Sequence, residues 1–191
     1  MHEIGKEFEF DYGHRVHNQV LNKEYAINDH CKCRHLHGHR AKLTVWLSGE
    51  LNSEGMVTDF NHLNWLKQLI DNDFDHKFIL DIDDPLSENN IRNSWGSNAH
   101  KDFKKKFETM FYLTANKLKD YPLLGSIIHD FGWAKEIRDS VVYVPFNPTA
   151  ENLAMMFFTM IAPKMYGIGV RVSKVEFHET PKSKTVFYNP K

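Results

Sequence analysis

Two segments near the amino terminus alternate apolar with polar residues, and each carries histidine on its apolar face. The first is "FEFDYGH" and the second is "HGHRAKLTVWL". Side chains two positions apart on a strand project the same way, so this pattern predicts two half-buried β-strands. The positions on the predicted inner faces are Phe8, Phe10, Tyr12 and His14 in the first strand, and His37, His39, Ala41, Leu43, Val45 and Leu47 in the second.

If these two strands pair, the imidazoles of His14, His37 and His39 can converge. Three neutral nitrogens suit zinc and leave its fourth position open for water or substrate, as in catalytic zinc sites. Two other interpretations stand beside this one. The chain has 12 histidines, so a cluster by chance has weight. Cys31 and Cys33 would suit a structural zinc knot, but the sequence has no second cysteine pair to complete one.

Helical spacing of apolar residues occurs in two places. One is 61–72, where the recurring residues are Leu63, Leu66, Leu69 and Ile70. The other is "NPTAENLAMMFFTMIAPKMYG". There we predict Asn147 as the N-cap, Pro148 at the first helical position and Glu151 near the positive end of the helix dipole.

Two further strands are predicted near the carboxyl end, in "VRVSKVEFHET" and "KTVFYN". Their alternation slips between Val172 and Val175, which predicts a β-bulge near Ser173. A short extended piece is predicted at Val141–Val144. The polar, turn-rich region at about 83–140 contains one predicted helix, "HKDFKKKFETMFYLTANKLKD". We interpret this region as an insertion into a single domain that spans 1–191.

Two more groups of residues are candidates for a role in catalysis or ligand binding. Asp75 directly precedes His76, and an aspartate can orient an imidazole and fix its tautomer. Such a pair is also common in polar turns. Glu179 shares a strand face with Val175 and Phe177, so its carboxylate needs a partner. That partner is either the backbone of the protein or a ligand that carries N–H donors.

Composition excludes several classes of protein. A formal net charge of −1 lacks the basic surplus of a nucleic-acid binder. The sequence shows no secretory signal pattern and no apolar run long enough to span a bilayer. Two cysteines are too few for a disulfide framework. We therefore expect a globular protein of the reducing cytoplasm that binds neither nucleic acid nor membranes.

Six motifs occur in the order found in one enzyme family: "FDYGHR", "CRHLHGH", "VTDFNHL", "FDHKFIL", "NPTAENLA" and "VEFHET". In this ordered set the chain resembles the 6-pyruvoyltetrahydropterin synthase and 6-carboxytetrahydropterin synthase family, over about 5–81 and 145–189. The resemblance implies an α+β tunnelling fold, in which a four-stranded antiparallel sheet carries two helices on one face. It also implies a homo-oligomer, commonly a hexamer built as a dimer of trimers, with active sites at subunit interfaces.

The resemblance also carries functional residues onto this sequence. His14, His37 and His39 match the zinc ligands of the family. Cys33 matches its catalytic cysteine, because it lies four residues before His37, whereas Cys31 does not match.

Four further positions follow from the same resemblance. Asp75 and His76 match the Asp–His pair that works with the cysteine. Glu179 matches the glutamate that anchors the pterin, and Thr149 matches a pterin-contacting threonine. Relatives often have Thr or Ser at the next position, where this chain has Ala150.

The implied substrate is 7,8-dihydroneopterin triphosphate. The spacing "CRHLHGH" resembles the carboxy-type enzymes, which release triphosphate and acetaldehyde and give 6-carboxy-5,6,7,8-tetrahydropterin on the route to 7-deazaguanines such as queuosine. In that reaction zinc polarises hydroxyls of the substrate, Cys33 moves a proton and His76 shuttles another. The alternatives are a pyruvoyl-type enzyme with the same site, or a non-catalytic zinc- or pterin-binding relative.

Overall fold

The computed structural model describes residues 1–27, 31–87, 105 and 140–190. In chain order its strands are β1 (His2–His14), β2 (His37–Gly49), β3 (Lys77–Asp81), β4 (Val141–Val144), β5 (Arg171–Thr180) and β6 (Ser183–Tyr188). The α-helices are α1 (Asn64–Asp73) and α2 (Ala150–Tyr166), and the 3-10 helices are Lys32–Arg34 and Phe60–Leu63. Both helices that apolar spacing predicts are therefore present.

The six strands form one sheet in the order β4-β3-β1-β2-β5-β6. Four of them, β1, β2, β5 and β6, form the antiparallel run that the resemblance implies. β1 and β2 pair along their whole length, from His2 opposite Gly49 to His14 opposite His37. This register brings the histidine-bearing ends of both strands to the same edge of the sheet.

Two short parallel strands extend this sheet beyond the four expected strands. β3 pairs with β1, and β4 pairs with β3, both in parallel. They contain only 5 and 4 residues, and their buried residues run consecutively instead of alternating. Consecutive burial is typical of parallel strands that are covered on both faces. The expectation of a four-stranded, wholly antiparallel sheet therefore needs correction, because the sheet is mixed and has six strands in the described residues.

The predicted β-bulge is confirmed. Trp46 of β2 pairs with Lys174 of β5, but the next residue, Leu47, pairs with Val172. Ser173 is therefore the extra residue that the slipped alternation predicts.

Both helices pack against one face of the sheet, where they form a single apolar core with it. Phe157 of α2 joins the layers, since its ring centroid lies 6.1 Å from those of Phe10 and Phe177 in the sheet. The same ring lies 5.1 Å from that of Phe74, which directly follows α1. The inner faces predicted from alternation are therefore the faces that the helices bury.

Helix α2 begins later than the sequence predicts. Its N-cap is Thr149 instead of Asn147, and Pro148 precedes the cap. The Thr149 hydroxyl accepts a hydrogen bond from the backbone N–H of Asn152 at 3.4 Å. Asn147 contributes its carbonyl instead, which accepts from the Asn152 side chain at 2.9 Å. Thr149 is a good cap because its extended backbone aims the hydroxyl at the unpaired N–H groups of the first turn.

Most of the predicted insertion at about 83–140, with its predicted helix, lies outside the described residues. The extent of the insertion and the single-domain organisation stay predictions. Among the helices that the structure describes, none is long and apolar enough to cross a membrane.

Candidate active site

Three imidazoles converge at one edge of the sheet. His14 is the last residue of β1, and His37 and His39 lie at the start of β2. One ring nitrogen from each lies within 4.8 Å of the other two. His14 is fully buried, and the other two are partly buried. The structure therefore brings the three predicted ligands together, and no other such metal-binding group is found in the described parts of the chain.

Backbone carbonyls orient two of these rings. His14 Nδ1 lies 2.7 Å from the Pro148 carbonyl oxygen, and His37 Nδ1 lies 2.7 Å from the His35 carbonyl oxygen. A carbonyl can only accept, so each Nδ1 carries the hydrogen and each neutral ring keeps its lone pair on Nε2. This arrangement is typical of metal-binding histidines, whose second nitrogen is held by an outer partner.

The orientation of the rings makes the site suitable for a cation. His14 Nε2 and His37 Nε2 lie 3.0 Å apart. Two lone pairs that face each other at this distance repel unless a cation or a shared proton lies between them. His39 Nε2 is also buried and lacks a hydrogen-bond partner within the described part of the chain. Three neutral imidazoles of this kind are a donor set that zinc favours, so the residues fit the metal that the resemblance implies.

Glu179 of β5 lies beside the imidazoles. Its Oε1 is 3.2 Å from His14 Nε2 and 3.8 Å from His39 Nε2. A hydrogen bond from His14 Nε2 lowers the pKa of Glu179, although partial burial acts in the opposite direction. This contact needs a shared proton or a cation at Nε2, as does the close approach of the His14 and His37 nitrogens. Burial also lowers the pKa of His39, against the pull of the Glu179 charge. The site therefore favours an ionised carboxylate beside a neutral His39.

Tyr12 lies against the histidines, and it is a residue to which the sequence assigns no functional role. Its ring centroid is 5.2 Å from that of His14 and 5.8 Å from that of His39. Burial and the negative charge of Glu179 raise the pKa of Tyr12, so the phenol stays neutral. The only signal in the sequence is its place between Phe10 and His14 on the inner face of β1.

The loop that carries Cys33 is fixed to the residues that follow His14. The Val16 backbone N–H donates to the Cys33 carbonyl at 2.7 Å. The Cys31 thiol instead donates to Gln19 Oε1 at 3.0 Å. Burial, followed by the neighbouring Cys31 thiol, raises the pKa of Cys33 to about 11, and Glu179 adds to this. Cys33 is therefore a protonated thiol in the metal-free protein, and its use as a base requires positive charge nearby.

Asp75 and His76 already contact each other in this structure, but the pair is held by the backbone of Asp11 and not by the three-histidine cluster. Asp75 Oδ2 lies 3.0 Å from His76 Nδ1, while Asp75 Oδ1 accepts from the Asp11 backbone N–H at 2.9 Å. The His76 backbone N–H donates to the Asp11 carbonyl at 2.7 Å. The Asp11 side chain points to the face of β1 opposite His14, where it pairs with Arg40. None of the contacts described for the pair reaches the three histidines.

Thr149 lies next to Pro148, whose carbonyl holds His14, so it borders the histidine cluster. Its hydroxyl oxygen caps α2 by accepting from the Asn152 backbone N–H. Ala150 is the first residue of that helix.

Comparison with known proteins identifies the family. A sequence model described as 6-pyruvoyl tetrahydropterin synthase matches residues 3–190. The chain belongs to the 6-pyruvoyl tetrahydropterin synthase family. It is an enzyme family, and the resemblance found in the motifs is thereby confirmed.

Curated relatives within the family carry a more specific name. A protein from Aquifex aeolicus named 6-carboxy-5,6,7,8-tetrahydropterin synthase is 32% identical, over 97% of this chain and 96% of its own length. A protein of the same name from Rickettsia felis is 28% identical over 92% of each chain. The Aquifex alignment covers nearly all of both chains. The region at about 83–140, which we interpret as an insertion, is therefore not peculiar to this protein.

Solved structures support the tunnelling fold. A protein described as uncharacterised, from Wolinella succinogenes, is 39% identical, covers 98% of both chains and gives a TM-score of 0.72. The 6-pyruvoyl tetrahydropterin synthase of Plasmodium falciparum is 15% identical and gives a TM-score of 0.52, over 98% of this chain and 97% of its own. At that identity the second likeness shows the fold alone, which confirms the α+β tunnelling fold.

Proposed function

We propose that this protein is a zinc-dependent 6-carboxy-5,6,7,8-tetrahydropterin synthase. Its reaction would convert 7,8-dihydroneopterin triphosphate and one water molecule to 6-carboxytetrahydropterin, acetaldehyde and triphosphate, which makes it a carbon–carbon and carbon–oxygen lyase. The observation that carries the proposal is the convergence of three histidine nitrogens beside Glu179, in a chain whose curated relatives bear this name.

Glu179 is the proposed anchor of the pterin ring. An ionised carboxylate accepts two parallel hydrogen bonds from a ring N–H and the neighbouring amino group, and such charge-assisted bonds are strong. The lowered pKa of Glu179 favours the ionised form that this role needs. Thr149 borders the same site and would donate its hydroxyl hydrogen to the ring.

His14, His37 and His39 would hold zinc. When bound, the ion supplies positive charge that polarises substrate hydroxyls and favours the Cys33 thiolate. Two of the three ligands are already oriented by the carbonyls of Pro148 and His35, so little rearrangement is needed.

Cys33 and His76 are the proposed proton-transfer groups. The Cys33 thiolate would take a proton from a side-chain carbon of the substrate. His76 donates its Nδ1 hydrogen to Asp75, so its Nε2 faces outward as an acceptor. Because the described contacts of the Asp75 and His76 pair are with the backbone of Asp11 and none reaches the three histidines, we propose that it serves the site of a neighbouring subunit in a homo-oligomer.

Incubation of the zinc-loaded protein with 7,8-dihydroneopterin triphosphate, followed by mass spectrometry of the products, tests the proposal. We expect 6-carboxytetrahydropterin and acetaldehyde, and neither from the Cys33→Ala variant. A 6-pyruvoyl product would instead identify the pyruvoyl-type reaction at the same site. Binding of substrate without any product would favour a non-catalytic pterin-binding protein and refute the proposal.

A further inference from the structure

Four charged or ionisable side chains meet where β1 and β3 end, and we call them the strand-end network. They are Arg15, His17, Asp81 and Asp84. Arg15 Nε lies 2.8 Å from Asp84 Oδ2, and His17 Nδ1 lies 3.8 Å from Asp81 Oδ2 and 4.0 Å from Asp84 Oδ2. Asp84 is fully buried and Asp81 is 5% exposed. A buried carboxylate is costly without a charged partner, so the network binds the two strand ends together.

The network encloses the residue that holds Cys33. Val16 lies between Arg15 and His17, is itself buried, and donates its backbone N–H to the Cys33 carbonyl. Arg15 is thus paired with Asp84 just after the end of β3, and His17 lies 3.8 Å from Asp81 and 4.0 Å from Asp84. These contacts restrain the backbone on both sides of the Val16 N–H, most strongly at Arg15.

The loop around Cys33 has little structure of its own to fix it. Its 3-10 helix, Lys32–Arg34, contains no buried residue, and its N-cap residue makes no side-chain capping hydrogen bond. Among the described residues, two hydrogen bonds tie this loop to 15–19, the Val16–Cys33 bond and the Cys31–Gln19 bond. Gln19 in turn donates its backbone N–H to the Val16 carbonyl at 3.2 Å. Val16 is therefore the common support of both cysteines.

We propose that Asp84 is a positioning residue for Cys33. Through its ion pair with Arg15 and its longer contact with His17 it restrains Val16, and the Val16 N–H holds the backbone of Cys33. The importance of this for turnover rests on the proposed function, whereas the placement of the thiol does not.

Thiol alkylation tests the placement without any turnover. In a Cys31→Ser background Cys33 is the only cysteine of the chain. Asp84→Asn keeps the side-chain size and removes the charge that faces Arg15. We expect iodoacetamide to react with Cys33 about two- to tenfold faster, a factor of the size expected when the Val16–Cys33 hydrogen bond is weakened. Zinc content should not change. The matched control is Asp71→Asn, which removes a carboxylate from an exposed ion pair with Lys67 and should leave the rate unchanged.

A second variant covers the case in which Asp84→Asn does not fold. His17→Gln removes only the two longer contacts of the network, so it should fold and should give a smaller increase in the same direction. An alkylation rate equal to that of the Cys31→Ser parent, in every network variant that folds, would overturn the inference.

Kinetics separate positioning from general stability. With Cys31 intact, Asp84→Asn should lower kcat severalfold and leave KM and the affinity for free pterin within about twofold, because Glu179 and the zinc ligands are untouched. An unchanged kcat would also overturn the inference. If wild-type protein gives no product at all, the proposed function fails, and the alkylation rates still decide whether Asp84 positions Cys33.

Discussion

The three-histidine cluster and the Asp75–His76 pair are surrounded by the chain in contrasting ways. His14 is fully buried, and its outer nitrogen is held by a backbone carbonyl. The His76 side chain is 77% exposed, and its φ of 58° lies in the left-handed region. Both groups are held by short hydrogen bonds to the backbone. They differ in whether their reactive nitrogen faces other groups of the same chain or faces solvent.

This contrast indicates what one chain completes by itself. A metal site needs several lone pairs aimed at one point, and the paired ends of β1 and β2 provide that within a single chain. The acid–base pair is also preformed, because two hydrogen bonds to Asp11 support its unusual backbone conformation. It has no target in the described part of its own chain. We infer that a second subunit provides the target.

Mixing two inactive variants gives the largest expected effect. Cys33→Ala and His76→Ala should each lose about 10²- to 10⁴-fold in kcat, the range for a positioned acid–base group. If the two residues act in one site but come from different subunits, mixed oligomers contain some intact sites. Random reassembly at equal ratio should restore about a quarter of wild-type activity.

The control for this mixing is Cys31→Ala, which should be nearly silent alone. A mixture that stays inactive, with mixed oligomers verified by mass spectrometry, would mean that one chain supplies both residues, and the contrast between the two regions would lose its functional meaning.

Loss of a zinc ligand is the next largest expected effect. His37→Ala removes one of three converging nitrogens and should lower zinc affinity by more than the roughly 10- to 100-fold typical of an outer-shell change. Metal analysis of the purified variant measures this directly. His76→Ala is the matched control and should keep full zinc content. Full zinc content in His37→Ala would place the ligands elsewhere, with Cys31 as the first candidate.

The site residues whose strand face was predicted correctly are those to which the two-residue period of strands applies. Alternation put His14, His37 and His39 on inner faces, and the same rule aimed Glu179 of β5 inward. Because β1, β2 and β5 are neighbours in the sheet, a correct choice of face was enough to bring these side chains together.

The features that the sequence did not predict depend on contacts between distant segments. The direction of His76 is set by hydrogen bonds to Asp11, which is far away in the chain. The strand-end network joins Arg15 to Asp84, and no periodic pattern connects those positions. Asn147 was wrongly predicted as the N-cap of α2, because local preference alone does not distinguish it from Thr149.

Glu179→Gln should have an intermediate effect, on the affinity for the pterin. It tests whether the pterin ring binds beside the histidine cluster. Glutamine keeps the size but replaces one acceptor with a donor, which leaves a ring donor unpaired at a cost of about 1–3 kcal/mol. Titration calorimetry should show that a free pterin and the triphosphate-bearing substrate weaken by about the same factor. If only the triphosphate-bearing ligand weakens, Glu179 does not anchor the ring.

The smallest expected effect is a change in the pH dependence of stability in the zinc-free protein. Burial lowers the pKa of His39 below its ordinary value of about 6.5. Between the two values the unfolded chain binds more protons than the folded chain, so stability is fully present above about pH 6.5 and is lost as the pH falls toward the folded pKa. Urea unfolding in the presence of a chelator, at several pH values between 5 and 7, measures this slope. His39→Gln cannot titrate there, so its unfolding free energy should depend less steeply on pH by up to about 1.4 kcal/mol per pH unit, the limit for one proton. If the unfolding free energy of both proteins depended equally steeply on pH, folding would impose no cost on protonation of His39. The distinction between a desolvated metal site and an exposed acid–base pair would then rest on geometry alone.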